Sequence, residues 1–278
     1  MTINRFFTES TFDRIKKDFN FLINYILSSY GEYDFAIRKD YFNIYYRGNS
    51  LAKVVPQSHE RYQIIINSKF FDGTKADRSG LYVSKKGSGN ISIICFKSNL
   101  KPFFQKKHMS EFAARIKRVN YGEEIGFEQS LITDNLYRED LIFIDRQVTD
   151  ISLKRQRMDL LALKQVNGNK YQFLVCEVKM GNNPQLQGDV AQQLRVYIDH
   201  IELHFKEYKE CYEKQYKQKK GLGLIETAPF DNIEIVKEVK GVNGLIIVGG
   251  YSVQAKAQID VLKKSHPNIS VIPFSYVI

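Results

Sequence analysis

The stretch RQRMDLLALKQVNGNKYQFLVCEVKM, residues 155–180, contains two apolar runs separated by an Asn-Gly turn signal. Both runs are rich in the branched and aromatic residues typical of strands, and Asn-Gly is the composition of a tight hairpin turn. The second run, FLVCEV, is almost continuously apolar, as expected of a central strand that is covered on both faces. The stretch therefore predicts two neighbouring antiparallel strands, over about 155–165 and 171–180.

Two carboxylates and one ammonium fall on this hairpin. Side chains alternate between the faces of a strand, so Glu177 and Lys179 share a face and Val178 points to the other. Pairing of the strands brings Asp159 beside Glu177, and two carboxylates this close repel each other unless a cation lies between them. Because Mg²⁺ prefers oxygen ligands, we expect a site formed by Asp159, Glu177 and the main-chain carbonyl of Val178, with Mn²⁺ as the alternative ion.

A metal site of this kind meets the requirement of metal-dependent phosphodiester cleavage. Lys179 would stand beside the attacking water, which it could orient or deprotonate, or it could stabilise charge in the transition state. The other interpretation of the Glu-x-Lys pattern is a salt bridge on an edge strand.

The elements around the hairpin predict a mixed sheet with helices on both faces, because strands and helices alternate along the chain. From residue 122 the expected elements are a helix over about 123–136, strands over 141–148, 155–165 and 171–180, a long helix over about 187–219, a strand over 244–249, a helix over 253–264 and a strand over 270–276.

Polar residues recur at helical spacing on both sides of the hairpin. Glu124 and Glu128 share one face of the preceding helix, and Gln193 and Tyr197 share one face of the following helix. A helix with a glutamate, three strands bearing Asp and Glu-x-Lys, and a helix with Gln-x-x-x-Tyr resemble the restriction-endonuclease-like, or PD-(D/E)XK, nuclease superfamily. The resemblance covers about residues 123–197 and extends more loosely to the end. Met158 stands at the position of the proline in the family's name.

The resemblance implies an α/β fold of the restriction-endonuclease-like type and assigns roles to individual residues. It implies Asp159 and Glu177 as metal ligands and Lys179 as the catalytic lysine. Glu128 would be the helix-borne acidic residue that completes the surroundings of the metal, with Glu124 as the alternative.

Three further residues are candidates for substrate contacts near this site. The resemblance implies that Gln193 holds the lysine or the scissile phosphate, with Tyr197 beside it. Arg157 precedes Asp159 by two residues, so it faces the same way and could meet a phosphate. A paired surface arginine is the other interpretation of Arg157.

Residues 1–120 are predicted to form a smaller α+β domain, with an amphipathic helix over about 11–28 and a small antiparallel sheet. They hold 21 Lys and Arg against 10 Asp and Glu, a net charge of +11, whereas residues 121–278 hold 20 and 21, a net charge of −1. The asymmetry fits a basic, nucleic-acid-binding domain joined to a nuclease-like domain over 121–278. The alternative is that the basic residues serve solubility.

The segment IRKDYFNIYYRGNSLAKV, residues 37–54, interleaves cations with tyrosines. This mixture suits contact with a nucleic-acid backbone and stacking on bases, although aromatic residues in strands are more often part of a core. We expect the basic side chains to point outward and some tyrosines inward. The candidate substrate contacts are Arg38, Lys39, Arg47 and Lys53.

Other potentially reactive residues favour structural roles. The three cysteines have no paired spacing and are expected to be reduced and structural. His200 and His204 stand four apart without a third ligand at matching spacing, so a surface or packing role is favoured over a metal site. The tyrosines at 208, 212 and 216 recur every four residues, which predicts a helix face packed on a neighbour rather than a stacking platform.

The sequence thus predicts a hydrolase, a Mg²⁺-dependent endonuclease that acts on DNA, with RNA as the alternative substrate. The competing hypotheses are a non-catalytic nucleic-acid-binding or assembly protein on a nuclease fold, and a purely structural α/β protein. A cut through both strands would require paired active sites and hence a homodimer. No apolar run is long enough for a secretory signal or a membrane segment, so a cytoplasmic location and no membrane partner are expected.

Overall fold

The computed structural model describes residues 3–71, 82–119, 122–150, 153, 156–237 and 241–275. Within these residues the fold is mixed α/β, with two sheets and seven α-helices. The chain forms two compact units. The N-terminal unit consists of Arg5–Ile125 and Gln218–Leu224, and the C-terminal unit consists of Met1–Asn4, Gly126–Lys217 and Ile225–Ile278.

The helices of the N-terminal unit are α1 Glu9–Leu27, α2 Leu100–Phe103 and α3 Lys106–Val119, and its strands are β1 Tyr33–Arg38, β2 Tyr41–Tyr46, β3 Asn49–Pro56, β4 Arg61–Asn67, β5 Tyr82–Lys86 and β6 Asn90–Phe96. The six strands form an antiparallel sheet in the order β1-β2-β3-β4-β6-β5, so the expected amphipathic helix and antiparallel sheet are confirmed.

One face of this sheet forms the core of the unit. Phe19 of α1 packs edge-on against Phe42 of β2 and Tyr62 of β4, with ring centroids 4.9 Å apart in both pairs. Burial of each such ring contributes about 2 kcal/mol to folding. Because side chains alternate along each strand, the opposite face carries polar residues such as Asn43 and Lys53, which are half-buried.

The remaining elements are α4 Glu123–Asp134, β7 Leu141–Thr149, β8 Arg157–Asn167, β9 Lys170–Met180, α5 Asp189–Leu203, α6 Phe205–Gly221, β10 Glu234–Ile235, β11 Asn243–Gly249, α7 Ser252–Ser265 and β12 Ser270–Phe274. In the C-terminal unit the strands form a mixed sheet in the order β12-β11-β9-β8-β7, with β10 paired to the start of β9. β7, β8 and β9 are antiparallel, whereas β9, β11 and β12 are parallel.

Two elements differ from the sequence-based expectation. The single long helix expected over 187–219 is wrong, because the chain leaves helical geometry at His204 (φ −108°, ψ 25°) and forms two helices, α5 and α6. β10 was not predicted, since a strand of two residues carries no detectable periodicity.

The tyrosine stripe on α6 is part of the core. Tyr208, Tyr212 and Tyr216 are fully buried, and the first two pack against Phe173 of β9 with ring centroids 6.2 and 5.8 Å away. The predicted packing role is therefore confirmed.

The cysteines at 95, 176 and 211 are free and buried, as expected of reduced, structural thiols. In the described part of the chain, no helix has an apolar stretch that could cross a membrane.

Candidate functional site

The β8–β9 hairpin positions the two carboxylates. The ladder of paired residues runs from Asn167–Lys170 near the turn to Leu160–Cys176, and Asp159 and Glu177 are the next residues along the two strands. At this point the backbone N–H of Val178 donates to Asp159 Oδ2 at 3.0 Å. The side chain of Asp159 is therefore held against β9 beside Glu177.

Lys179 lies between the two carboxylates. Its Nζ is 3.1 Å from Glu177 Oε2 and 3.5 Å from Asp159 Oδ2. All three residues are buried, with exposed fractions of 7% for Asp159, 0% for Glu177 and 4% for Lys179. The structure thus brings together the three residues that the sequence singled out.

Two carboxyl groups share one ammonium in this cluster. Burial first, and then the Asp159 carboxylate, hold the pKa of Glu177 well above its usual range, and the Lys179 ammonium opposes this rise. Glu177 Oε1 is buried and has no hydrogen-bond partner. A buried acceptor left unsatisfied costs about 1–3 kcal/mol, so the geometry favours a further positive or hydrogen-bond-donating group at this oxygen.

Glu128 of α4 lies near Asp159 and is bonded to Arg146 of β7. Its Oε2 accepts a hydrogen bond from Arg146 Nη2 at 3.2 Å. Burial, followed by the Asp159 carboxylate, raises the pKa of Glu128 to about 7, while Arg146 acts in the opposite direction. Glu124, the alternative helix residue, is half-buried, and Glu128 is the one in electrostatic contact with Asp159.

Arg146 was not among the site residues predicted from the sequence. Its guanidinium is buried, with 1% of the residue exposed, and also donates to Gln129 Oε1. The available signal was its position in β7, two residues before the apolar Val148, with which strand alternation places it on one face. An arginine at an inward-facing strand position requires a buried acceptor, which points to a polar centre.

α5 contributes Gln193 and Tyr197. Gln193 Nε2 donates to the Tyr197 hydroxyl at 2.9 Å, and this hydroxyl donates to the main-chain carbonyl of Arg157 at 3.0 Å. Burial is the main cause of a raised pKa of Tyr197, and the carboxylates of Glu177 and Asp159 add to it. The two α5 residues therefore fix the start of β8, two residues before Asp159. The Arg157 side chain is exposed.

The expectation that Arg38 of the N-terminal unit points outward is wrong. This arginine was expected to serve as a phosphate contact, but only 4% of the residue is exposed. Its guanidinium donates to the Ile37 carbonyl at 2.8 Å and to the Tyr45 hydroxyl at 3.3 Å. The guanidinium is thus held by acceptors within the unit and is placed as a structural group.

The other basic candidates lie at the surface of this unit. Lys39 is exposed, and Arg47 is exposed and forms an ion pair with Glu32 at 2.7 Å. Lys53 is half-buried, with its Nζ 4.0 Å from the centroid of the Tyr41 ring. Tyr45 and Tyr46 are buried, which agrees with the expectation that some tyrosines point inward.

His200 is in contact with a buried carboxylate. Its Nε2 lies 3.0 Å from Asp150 Oδ2, which also accepts a hydrogen bond from the Tyr208 hydroxyl at 3.3 Å. Within the residues that the structure describes, no group of three or more His, Cys, Asp and Glu side chains is arranged to hold a metal ion. Asp159, Glu177 and Glu128, the three carboxylates expected around a metal, therefore do not form such a group.

Comparisons of this chain with models of known protein families, with curated proteins and with solved structures found no match. Functional inference therefore depends on the chemistry of the site. Its distinguishing features are a pair of buried carboxylates, an ammonium between them, and one buried oxygen without a partner.

The end of β9, which carries Lys179, is sensitive to the size of residue 181. A Cβ on Gly181 would lie 2.3 Å from the Gly250 carbonyl oxygen, so Gly181→Ala must displace backbone. We expect a loss of about 2 kcal/mol in the free energy of unfolding, measured by urea denaturation.

Gly126→Ala on α4 is the matched control for this substitution. A Cβ there meets nothing within 4 Å, and alanine favours the helix by about 1 kcal/mol. Equal stability of the two variants would contradict the close approach at Gly181.

Proposed function

We propose that this chain is a metal-dependent nuclease that hydrolyses phosphodiester bonds of DNA, with a C-terminal unit of the restriction-endonuclease-like type. The observation that carries the proposal is the buried pair of Asp159 and Glu177, with Lys179 between them and Glu177 Oε1 without a hydrogen-bond partner. A structural salt bridge would not require a second buried carboxylate for a single ammonium.

The residues present fit Mg²⁺ or Mn²⁺. Asp159 and Glu177 supply carboxylate oxygens, Val178 supplies a main-chain carbonyl, and such hard oxygen donors are the ligands that these ions prefer. The partnerless Glu177 Oε1 is the oxygen that most needs a cation. When bound, such an ion polarises the scissile phosphate and makes water more acidic.

The remaining groups have roles that follow from their contacts. The Lys179 ammonium can donate to a water or to a non-bridging oxygen of the phosphate, which stabilises the charge that develops there. Gln193 and Tyr197 position Asp159 through the backbone of Arg157. The exposed Arg157 guanidinium is available to contact a neighbouring phosphate.

The charge of the chain supports a polyanionic substrate. The net charge of +11 in residues 1–120 includes the exposed Lys39 and the half-buried Lys53. Neutralisation of phosphates by such residues releases counterions, so DNA affinity should fall steeply as salt is raised.

The test is cleavage of supercoiled plasmid and single-stranded DNA by the full chain with Mg²⁺ or Mn²⁺, compared with EDTA. We expect nicked or shortened products that depend on the metal. Asp159→Asn keeps the shape of the side chain but removes its charge, and should lower the cleavage rate by at least ~10²-fold. The matched control is Asp140→Asn, which changes an exposed carboxylate directly before β7.

A thermal shift measures metal binding independently of cleavage. Saturating Mn²⁺ should raise Tm of the wild type and not of Glu177→Gln, because an ion that binds only the folded chain stabilises it. DNA binding without cleavage under every metal would overturn the nuclease proposal and favour a non-catalytic nucleic-acid-binding protein. Cleavage of RNA alone would reassign the substrate.

A further inference from the structure

A polar cleft opens on the outer face of the sheet in the N-terminal unit. Its volume is about 380 Å³, and its lining includes Asn43, Asn49, Lys53, Ile65, Asn67 and Asn90. Pockets for small ligands start at roughly 300 Å³, so the cleft has room for one small molecule or one residue of a polymer.

The register of the strands builds the floor of the cleft. Asn43 of β2 pairs with Lys53 of β3, which pairs with Ile65 of β4. Residues paired in this way have side chains on the same face and about 5 Å apart. Two residues further along β4, Asn67 pairs with Asn90 of β6 and so extends the same face. The floor is therefore part of a continuous sheet and is rigid.

The amide of Asn43 has an unused acceptor. Its Nδ2 donates to the Tyr45 hydroxyl at 3.3 Å, while its Oδ1 is buried and has no hydrogen-bond partner. Asn67 Oδ1 accepts from the backbone N–H of Lys69 at 3.0 Å, which directs the amide nitrogen the other way. Four asparagine carboxamides thus line the cleft, and carboxamides are groups that read the edges of nucleobases.

The cleft also contains a fixed cation and apolar surface. Lys53 Nζ lies 4.0 Å from the centroid of the Tyr41 ring, and a cation held by a neutral ring keeps its charge available to an anion. Ile65 and the buried Phe70 supply apolar surface for the face of a planar ring. A neutral sugar would have no use for the cation, whereas a nucleotide uses all three features.

We propose that this cleft binds a single nucleotide of a nucleic-acid strand, with the asparagine amides on the base edge and Lys53 on the phosphate. The inference deepens the proposed function, since it gives the N-terminal unit a part in choosing the substrate. It rests on the proposed function in one respect, namely that the nucleotide belongs to a nucleic acid.

The test is calorimetric titration of the full chain with each of the four deoxynucleoside 5′-monophosphates, with glucose, and with inorganic phosphate. We expect binding of one or more nucleotides, weakened at least ~10-fold by Asn43→Ala and by Lys53→Ala. Lys53→Ala should weaken all nucleotides alike, whereas Asn43→Ala should weaken some bases more than others, because a carboxamide distinguishes bases through its hydrogen bonds. The controls are Asn20→Ala and Lys17→Ala, at exposed positions of α1.

Several results would overturn this assignment. They are equal affinity of wild type and both cleft variants, no binding of any nucleotide, or binding of glucose or phosphate as tight as that of nucleotides. If Asn43→Ala fails to fold, Lys53→Ala at a half-exposed position carries the test alone. Nucleotide binding requires neither metal nor cleavage, so the two proposals can fail separately. If the cleft variants bind nucleotides more weakly but the wild type does not cleave plasmid, the nuclease proposal is wrong and the cleft assignment stands. If the wild type cleaves plasmid but the cleft variants bind nucleotides as well as the wild type, the cleft assignment is wrong and the nuclease proposal stands.

Discussion

Lys179→Ala is expected to lower the rate of metal-dependent DNA cleavage by about 10³-fold while DNA affinity stays within a few-fold of wild type. Lys179 is buried and its Nζ lies 3.1 Å from Glu177 and 3.5 Å from Asp159, so alanine removes the ammonium that lies between the two carboxylates. The measurement is the single-turnover rate of plasmid nicking at saturating protein and fixed Mg²⁺. Lys164→Ala, an exposed lysine on β8, is the matched control.

Metal binding shows whether Lys179→Ala still folds and has lost only the cleavage reaction. Removal of an ammonium from between two carboxylates should make the site bind Mn²⁺ more tightly, because a like charge has gone. The variant should therefore cleave less and yet show a larger rise of Tm with Mn²⁺ than the wild type. Cleavage at the wild-type rate would remove Lys179 from the mechanism and with it the main support for a nuclease.

The carboxylate pair was predictable in outline because strand alternation is a strict rule, but its register depends on a feature that the sequence does not display. Near the turn Asn167 pairs with Lys170, and continuation of that register would place Asp159 opposite Val178. The pairing shifts by one residue between Gln165 and Asn167, which brings Asp159 opposite Glu177 instead. A shift of one residue moves a side chain to the other face, so this irregularity is what lets the carboxylates meet.

The hydrogen-bond partners of individual buried side chains were not predictable from the sequence. The basic segment around Arg38 predicts an exposed cation, yet the Arg38 guanidinium donates hydrogen bonds to the Ile37 carbonyl and the Tyr45 hydroxyl. The sequence gives no sign of the partner of Arg146 of β7, whose guanidinium donates a hydrogen bond to Glu128 of α4. Periodicity predicts the face on which a residue lies, whereas the identity of its partner depends on how helices pack on that face.

Arg146→Met is expected to lower the free energy of unfolding by about 3–5 kcal/mol at pH 8, because removal of one member of a buried ion pair leaves the other uncompensated. The pKa of Glu128 is raised from 4.5 to about 7 in the folded chain. A raised carboxyl pKa contributes stability below the unfolded value, and that contribution is lost as pH rises through the folded value. Without Arg146 the pKa rises further, so the loss should be larger at pH 8 than at pH 5, measured by urea denaturation at both.

The double variant Arg146→Met/Glu128→Gln distinguishes the charge from the packing. If the uncompensated Glu128 carboxylate causes the loss, its replacement by a neutral amide should recover much of the stability at pH 8 and little at pH 5, where the carboxyl is already protonated. Glu128→Gln alone is the control, and it should flatten the fall of stability between pH 5 and pH 8. If Arg146→Met costs the same at both values and the double variant recovers nothing, Arg146 acts through its contact with Gln129 and through packing, and Glu128 would not be the electrostatic link between α4 and Asp159.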